Sequence, residues 1–472
     1  MIKTQQSKIQ NPKSKIAIVG SGFLGLTLAL RLAETGAKVT VFESAPEIGG
    51  LASAWQIGDV VWDKHYHVTL ASDSFTRKIV EEIGLGDEFE WVETKTGFYT
   101  DGKLVSMSNS LEFLKFPPLD LVSKFRLGAT IFYASKVKDW KALEKISVED
   151  WLTNLSGKKT FEKMWKPLLK AKLGEAYKET SAAFIWATIQ RMYAARNSGL
   201  KKEMFGYVRG GYARVLERFG EHLRGKGVEI RLNSRVEKIE KFEDKVIIST
   251  AENIESYKAE VKLNAVQNYS EIAVRSVTST AKSSEFDRVI LTCPSNVAAK
   301  IVPQLSDEEK QKLENIKYQG IVCASVLLKK SLSDFYVTNI TDDVPFTGII
   351  EMSALVDKSE FGGNALVYLP KYVAPDDELF EKTDGEIEEI FLDKLEKMYS
   401  HFSRADVLAF KISRVRRVFP IPTLDYSENL PPVKTSLENV FVVNSAQITN
   451  GTLNVNETVQ LAEKFFENYL KN

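Results

Sequence analysis

Near the start of the chain, apolar positions change from a continuous run to a helical spacing and back to a run. Ile16 to Val19 form an apolar run that predicts a buried strand, and Leu26 to Glu34 carry apolar residues at helical spacing. A second run, Val39 to Phe42, predicts a second strand. Strand, helix and strand in this order predict a parallel βαβ unit and therefore an α/β fold.

The turn before this helix reads Gly20-Ser21-Gly22-Phe23-Leu24-Gly25, which is a G-x-G-x-x-G motif. We expect Gly20 to permit the tight turn, Gly22 to let the backbone approach a pyrophosphate, and Gly25 to let the helix pack closely. The exposed N–H groups at the start of the helix favour a phosphate there. The motif in this context predicts a dinucleotide-binding site rather than a purely structural turn.

Two features after the second strand support this prediction. Glu43 follows the strand directly, where a carboxylate can bind the 2′-hydroxyl of a ribose and disfavours a 2′-phosphate. The pair Gly49-Gly50 comes a few residues later.

The composition mainly argues against certain ligands and cross-links. The 472 residues include 63 basic and 63 acidic side chains, so the overall charge gives no reason to expect nucleic-acid binding. The two cysteines, Cys293 and Cys323, lie in apolar, strand-like segments and predict buried small hydrophobic residues. Their spacing fits neither a disulfide framework nor a metal site, so we expect no metal.

The first 14 residues are polar, and we expect them to be a flexible tail. They lack the apolar core of a signal peptide, and no apolar run reaches the ~18 residues of a membrane span. These observations predict a cytoplasmic protein.

Later segments continue the same α/β pattern. A helix at 213–224 precedes a strand at 228–232, and further buried strands are predicted at 286–294 and 438–445, the last followed by a helix at 456–469. Between them, 101–205 is helical, 301–430 mixes strands and helices, and the insertion 251–284 alternates like antiparallel strands. We therefore predict two interleaved domains. One comprises 15–100, 206–300 and 431–472, and the other, of substrate-binding type, comprises 101–205 and 301–430.

Together these motifs resemble the flavin amine oxidase superfamily, which includes protoporphyrinogen oxidases, phytoene desaturases, polyamine oxidases and UDP-galactopyranose mutases. The resemblance rests on the glycine turn with Glu43 and Gly49-Gly50, on Arg209-Gly210-Gly211 with Val236, on the strand Val289 to Pro294, and on the C-terminal strand, turn and helix. It implies a Rossmann-type FAD-binding domain interleaved with a discontinuous α+β substrate domain, and FAD as the cofactor.

The resemblance also implies roles for individual residues. Gly20, Gly22 and Gly25 would hold the pyrophosphate, Gly49 and Gly50 would lie near the flavin-side phosphate, Glu43 would bind the adenosine ribose, and the Val236 backbone would pair with adenine. Asn444 stands where the superfamily usually has an aspartate that binds flavin-side hydroxyls. Thr452, Leu453 and Asn454 precede the last helix, whose N-terminus can stabilise negative charge on a reduced flavin.

Candidate catalytic residues fall in two places. His65 and His67, two of only four histidines, follow a predicted strand just beyond Gly49-Gly50, and either can act as an acid, a base or a hydrogen-bond donor. A structural role for both is the alternative. Lys172, Arg191 and Arg196, with Trp186 and Tyr193, lie in the helical stretch 172–197 and suit an anionic, partly apolar substrate. The alternative is a set of solvated charges on an amphipathic helix.

In oxygen-reactive members of the superfamily a lysine lies near the flavin, and a rough alignment places Val322 at that position, which disfavours rapid oxidation of amines. The apolar and basic segment Phe113 to Val137 suits weak contact with a membrane surface or packing on its own domain.

The leading functional hypothesis is an FAD-dependent oxidoreductase that transfers hydride from a small or isoprenoid-like, possibly anionic substrate to flavin N5. The alternatives are a non-redox FAD mutase acting on a nucleotide sugar and a non-enzymatic prenyl-binding carrier. The substrate, electron acceptor and oligomeric state stay open.

Overall fold

The computed structural model describes residues 13–197, 204–263 and 269–471. The predicted tail lies largely outside this part of the chain. The strands are β1 (Lys15–Val19), β2 (Lys38–Phe42), β3 (Ala54–Ile57), β4 (Val60–Asp63), β5 (Thr69–Leu70), β6 (Phe89–Glu93), β7 (Lys95–Thr100), β8 (Lys103–Ser106), β9 (Met204–Val208), β10 (Glu229–Arg231), β11 (Ser234–Phe242), β12 (Lys245–Leu263), β13 (Tyr269–Phe286), β14 (Arg288–Leu291), β15 (Tyr318–Leu328), β16 (Phe335–Ile340), β17 (Gly348–Glu351), β18 (Ala365–Val373), β19 (Val407–Pro420) and β20 (Val440–Val442).

The helices are α1 (Phe23–Glu34), α2 (Ser74–Glu82), α3 (Ser110–Lys115), α4 (Leu121–Lys136), α5 (Trp140–Leu143), α6 (Val148–Ser156), α7 (Lys158–Thr160), α8 (Lys166–Leu173), α9 (Ala182–Asn197), α10 (Gly211–Gly225), α11 (Ser295–Ile301), α12 (Asp307–Glu314), α13 (Asp384–Met398) and α14 (Val455–Phe465). Short 3-10 and π-helical turns join several of them.

A five-stranded parallel sheet, ordered β10-β2-β1-β14-β20, forms the first core. Helices α1, α10 and α14 pack on one face, where Leu28, Phe219 and Val459 are fully buried. The antiparallel sheet β11-β12-β13 packs on the other face. The strands of this parallel sheet come from widely separated parts of the sequence, which confirms the predicted α/β class and the interleaving.

A seven-stranded mixed sheet, ordered β19-β15-β18-β17-β16-β7-β8, forms the second core. Helix α13 packs on one face, and α4, α6, α8 and α9 belong to the apolar cluster on the other. The predicted domain boundary at residue 100 falls inside the β7–β8 hairpin, and the division into domains stays a prediction.

The sequence analysis treats 172–197 as one helical stretch, but the structure divides it into two helices. Helix α8 ends at Leu173, a 3-10 turn covers Gly174–Glu179, and α9 begins at Ala182. Gly174 has φ 57, a left-handed conformation that glycine adopts readily and that ends the α-helical run. Lys172 and Arg191 therefore lie on different helices.

Among the described residues, none of the helices combines the length and apolar character that crossing a membrane requires.

Candidate cofactor and substrate site

A cavity of about 1900 Å³ opens at the carboxyl ends of β1, β2, β14 and β20 and extends towards the second core. Such an edge is where α/β sheets bind ligands. The predicted site residues that line this cavity are Gly20, Gly22, Glu43, Gly49, Gly50, His65, His67, Lys172, Arg191, Val236, Asn444, Thr452, Leu453 and Asn454. Gly25 lies behind the lining, and the side chain of Arg196 lies outside the described part of the chain.

The three glycines of the first turn have different surroundings. Gly20 has φ 108, a backbone conformation that L side chains rarely adopt. A Cβ on Gly25 would lie 2.1 Å from the carbonyl oxygen of Gly20, so only glycine lets α1 start this close to the turn. A Cβ on Gly22 would meet nothing within 4 Å. Because Gly22 lines the cavity, its missing side chain leaves room for a ligand to approach the backbone.

Glu43 holds this turn together. One carboxylate oxygen accepts hydrogen bonds from the Ser21 N–H at 2.9 Å and the Ser21 hydroxyl at 2.7 Å. The other oxygen accepts from the Ala45 N–H at 2.9 Å. The carboxylate therefore stays at the end of β2, on the wall of the cavity, where it can also accept from a ligand hydroxyl.

Gly49 and Val236 line the same cavity. The Gly49 N–H donates to the Ser21 carbonyl at 2.9 Å, which joins the second glycine pair to the first turn. Val236 pairs with Thr250, and the register of β11 and β12 shifts directly after it.

Asn444 is almost fully buried at the end of β20. Its amide nitrogen donates to the Cys293 carbonyl at 2.9 Å, and its amide oxygen accepts from the Ala446 N–H at 2.9 Å. A carboxylate could not donate to the Cys293 carbonyl. Asparagine at this position therefore ties the ends of β14 and β20 together.

The last helix begins at the cavity. The Asn454 side chain accepts from the Glu457 N–H at 3.0 Å and caps α14. Thr452 and Leu453 lie just before this cap and line the cavity. The positive end of the helix dipole therefore lies next to the space where a ligand would bind.

His65 is 9% exposed, and its Nδ1 lies 3.1 Å from the Leu51 carbonyl oxygen. A carbonyl only accepts hydrogen bonds, so Nδ1 carries the proton of the neutral ring and Nε2 is an acceptor. No group among the described residues bonds this Nε2. Burial, with a smaller contribution from His67, lowers the pKa of His65 to about 4, so the ring is neutral at pH 7.

The His67 ring packs against that of Tyr212, with the ring centres 5.0 Å apart and the planes tilted by 54°. Its Nδ1 lies 3.7 Å from a carboxylate oxygen of Asp63, too far for a hydrogen bond. The other Asp63 oxygen accepts from the Tyr212 N–H at 2.8 Å. Burial raises the pKa of Asp63. His67 therefore lies between a buried carboxyl group and the cavity.

Lys172 enters the apolar part of the cavity. Its Nζ lies 3.8 Å from the ring centre of Tyr372 and 5.1 Å from that of Phe419. The Tyr372 hydroxyl lies 2.9 Å from that of Tyr66. Burial is the cause that lowers the pKa of Lys172 to about 7. No carboxylate within the described ranges forms an ion pair with Lys172.

Arg191 differs from Lys172 in already having a counter-ion. Its Nη2 donates to Asp73 at 2.9 Å, and the same Asp73 oxygen accepts from the Leu70 N–H. The charge of Arg191 is thus largely neutralised by Asp73. Trp186, which the prediction grouped with it, points away and donates to the Val137 carbonyl at 3.1 Å.

Tyr372 and Phe419 are lining residues that the sequence-based prediction missed. They lie on β18 and β19, far from the motifs in sequence, and no local pattern marks them as lining residues. The rough alignment placed Val322 near the flavin, but this residue does not line the cavity. Val322 is fully buried on the far face of the sheet, and its neighbour Ile321 lines the cavity.

Residues 25–456 match the family model described as flavin-containing amine oxidoreductase. The chain belongs to this family. It is an FAD-dependent oxidoreductase, as predicted. Its relatives include the 15-cis-phytoene desaturase of Solanum lycopersicum, 22% identical over 84% of this oxidoreductase and 67% of the desaturase. A probable zeta-carotene desaturase of Synechococcus elongatus is 23% identical over 68% of this oxidoreductase and 76% of the relative.

Solved structures show the same fold. A putative protoporphyrinogen oxidase from Exiguobacterium sp. 255-15 superposes with a TM-score of 0.71 at 16% identity, covering 96% of the oxidoreductase and 98% of that chain. A redesigned putrescine oxidase superposes with a TM-score of 0.68 at 16% identity, covering 97% and 99%.

Proposed function

We propose that this oxidoreductase dehydrogenates an apolar substrate that carries an acidic head group, and that Lys172 binds that head group. The proposal rests on the position of the Lys172 amine. The amine lies on the face of Tyr372 and has no carboxylate partner among the described residues. A buried cation is costly unless an anion accompanies it. A carboxylate on the substrate would supply that anion.

The cofactor end of the cavity suits FAD. The open approach at Gly22 would admit the pyrophosphate, Glu43 would accept from the adenosine ribose, and the start of α14 would face the negative charge of a reduced ring. Gly20, Gly25, Gly49 and Gly50 would shape this cradle, while Val236 would present its backbone to the adenine. At about 1900 Å³ the cavity exceeds the ~300–1,000 Å³ typical of ligand pockets, so a substrate fits beside the cofactor.

The substrate end of the cavity is apolar. Helices α8 and α9 contribute Leu168, Leu169, Phe184 and Ile185 to its wall, and Trp165 in the turn before α8 adds an aromatic ring. Such a wall binds a hydrocarbon body by removing it from water. Together with Lys172 it favours a substrate with a long apolar part and one acid group.

When bound, FAD would supply a two-electron acceptor for a hydride from a substrate carbon. Transfer of a proton from the adjacent carbon to water would complete a desaturation, the reaction for which the two desaturase relatives are named. The Nε2 atom of the neutral His65 would accept a hydrogen bond from a ligand, and His65 would not act as a proton donor.

The test is anaerobic titration of the FAD-loaded protein with a long-chain fatty acid, its methyl ester and a long-chain amine. We expect the acid to bind at least about tenfold more tightly than the ester, because only the acid pairs with Lys172. We also expect the bound acid to bleach the flavin absorbance.

Lys172→Met should abolish the preference for the acid. Lys170→Met is the matched control, because Lys170 lies on the same helix but pairs with Glu175 at the surface. Equal binding of acid and ester to the wild type would contradict the head-group proposal. Bleaching by the amine alone would favour amine oxidation instead.

A further inference from the structure

We propose that Asp63 is a positioning residue for His67 and holds its ring so that Nε2 can accept a proton from a ligand in the cavity. Asp63 ends β4, and His67 lies in the segment between β4 and β5. Nδ1 of His67 is 3.7 Å from one carboxylate oxygen of Asp63. Catalytic hydrogen bonds are often long before a ligand binds. A shift of the ring by about 0.5 Å would bring the two atoms within hydrogen-bond distance.

The Asp63 carboxylate is fixed at the start of α10. It is almost fully buried, and its second oxygen accepts from the Tyr212 N–H at 2.8 Å. Gly211 makes this contact possible, because a Cβ there would lie 3.0 Å from the same oxygen and because its φ of 64 is left-handed. The Tyr212 N–H and the positive end of the α10 dipole favour the charged carboxylate, against the effect of burial. The Gly210-Gly211 turn thus places a buried carboxylate beside His67.

The two ring nitrogens of His67 have different surroundings. Nδ1 is buried and has no hydrogen-bond partner among the described residues. The side chain lines the large cavity, so Nε2 is the nitrogen that a ligand can reach. Tyr212 packs against the ring and limits its rotation. A carboxylate only accepts hydrogen bonds, so Asp63 selects the neutral ring that carries its proton on Nδ1 and a lone pair on Nε2.

The chemical role of this pair rests on the proposed function. In a desaturation, Nε2 would accept the proton from the carbon next to the one that loses the hydride. The electron pair of that C–H bond would form the new double bond, and Asp63 would neutralise the imidazolium until its proton passes to water. His65 is less suited to this role, because its Nδ1 faces the Leu51 carbonyl, which carries no charge to balance an imidazolium.

The test is the tautomer of His67 in the FAD-loaded protein. It is measured by ¹⁵N NMR of histidine-labelled protein at about pH 8.5, where an ordinary imidazole is neutral. The chain has four histidines, and loss of a signal in His67→Gln assigns that signal to His67. We expect a protonated Nδ1 and an unprotonated Nε2. A proton on Nε2 overturns the proposal, because Asp63 would then not act as the acceptor that orients the ring.

Asp63→Asn keeps an oxygen for the Tyr212 N–H but turns an amide donor towards Nδ1. The ring proton of His67 should therefore move to Nε2, and an unchanged tautomer in the folded variant overturns the proposal. Glu351→Gln is the matched control, since Glu351 is fully buried but accepts from the Leu332 N–H, and it should keep the wild-type tautomer. Thermal unfolding checks that each variant folds. The wild-type spectrum decides the question even where Asp63→Asn does not fold.

Kinetics separate this proposal from the proposed function. Where a long-chain acid bleaches the flavin of the wild type, Asp63→Asn should slow the bleaching at least about 100-fold, whereas Glu351→Gln should not. Equal rates in Asp63→Asn and wild type would contradict the role of His67 as proton acceptor. A wild type that is not bleached contradicts the proposed function, and the tautomer, which is measured without substrate, still decides whether Asp63 positions His67.

Discussion

The amine of Lys172 lies 3.8 Å from the ring centre of Tyr372, although 200 positions separate the two residues. A cation on an aromatic face gains about 0.5–2 kcal/mol, less than a desolvated ammonium loses. Burial accordingly lowers the pKa of Lys172 to about 7. The free protein therefore has an amine near the midpoint of its titration at neutral pH, and an anionic ligand would return it to the charged form.

We predict that binding of a long-chain carboxylic acid weakens as the pH rises through about 7. Below that pH Lys172 is protonated before the ligand arrives, whereas above it a proton must be taken up from solution. The dissociation constant should then rise by up to about tenfold per pH unit. Calorimetric titration at about pH 8, in buffers of different ionisation enthalpy, measures this uptake directly.

Lys172→Met should bind the acid weakly and without this pH dependence, and Lys170→Met should keep the slope of the wild type. A slope that survives in Lys172→Met would assign the titration to another group.

Gly22 and Gly25 should respond differently to alanine. In Gly22→Ala the new methyl group meets no protein atom within 4 Å, so the apoprotein should unfold at the wild-type temperature while FAD affinity falls by about tenfold or more. In Gly25→Ala the methyl group would lie 2.1 Å from the Gly20 carbonyl oxygen, so the protein itself should lose stability, by about 1–3 kcal/mol. Thermal unfolding and FAD titration of both variants separate the two effects. Unchanged FAD affinity in Gly22→Ala would show that the cofactor does not approach this glycine.

Glu43→Gln should weaken FAD retention. A charge-assisted hydrogen bond contributes about 1.5–3 kcal/mol, and the substituted amide also replaces one of the two oxygens that accept from Ser21 and Ala45. The size of the loss is measured by equilibrium dialysis of FAD. Ser44→Ala is a control. It removes a hydroxyl that donates to the same carboxylate at 3.2 Å, but it keeps the charge of Glu43. Equal FAD affinity in Glu43→Gln and wild type would exclude Glu43 as the ribose ligand.

His65 should make the folded protein sensitive to acid. Its pKa is about 4 in the folded state against the ordinary value of 6.5. Between these two pH values the unfolded chain therefore binds a proton at His65 that the folded protein does not bind. Stability therefore falls as the pH drops through this window, by about 2 kcal/mol between pH 7 and 5. His65→Asn keeps a donor for the Leu51 carbonyl and should reduce this fall, as measured by urea unfolding at the two pH values. His401→Asn, at an exposed position, should behave like the wild type.

The cofactor end of the site was largely predictable from the sequence. Gly20, Gly22 and Gly25 act through a single turn, and Asn454 caps the helix that directly follows it. In each case the interacting groups are separated by a few residues, so their spacing is set by the geometry of one strand, turn or helix. Local geometry of this kind is read from residue types and intervals.

The substrate end was decided by tertiary structure. All residues of β15 are buried, so no alternation showed that Ile321 rather than Val322 faces the cavity. Likewise an apolar stripe on α4 predicts one buried face, yet Phe125 lies outside and Lys124 inside. Lys172, Tyr372 and Tyr66 meet only because three distant segments pack around one cavity. Periodicity gives the elements and their apolar residues, whereas the side that each element turns to its neighbours depends on the packing of the whole chain.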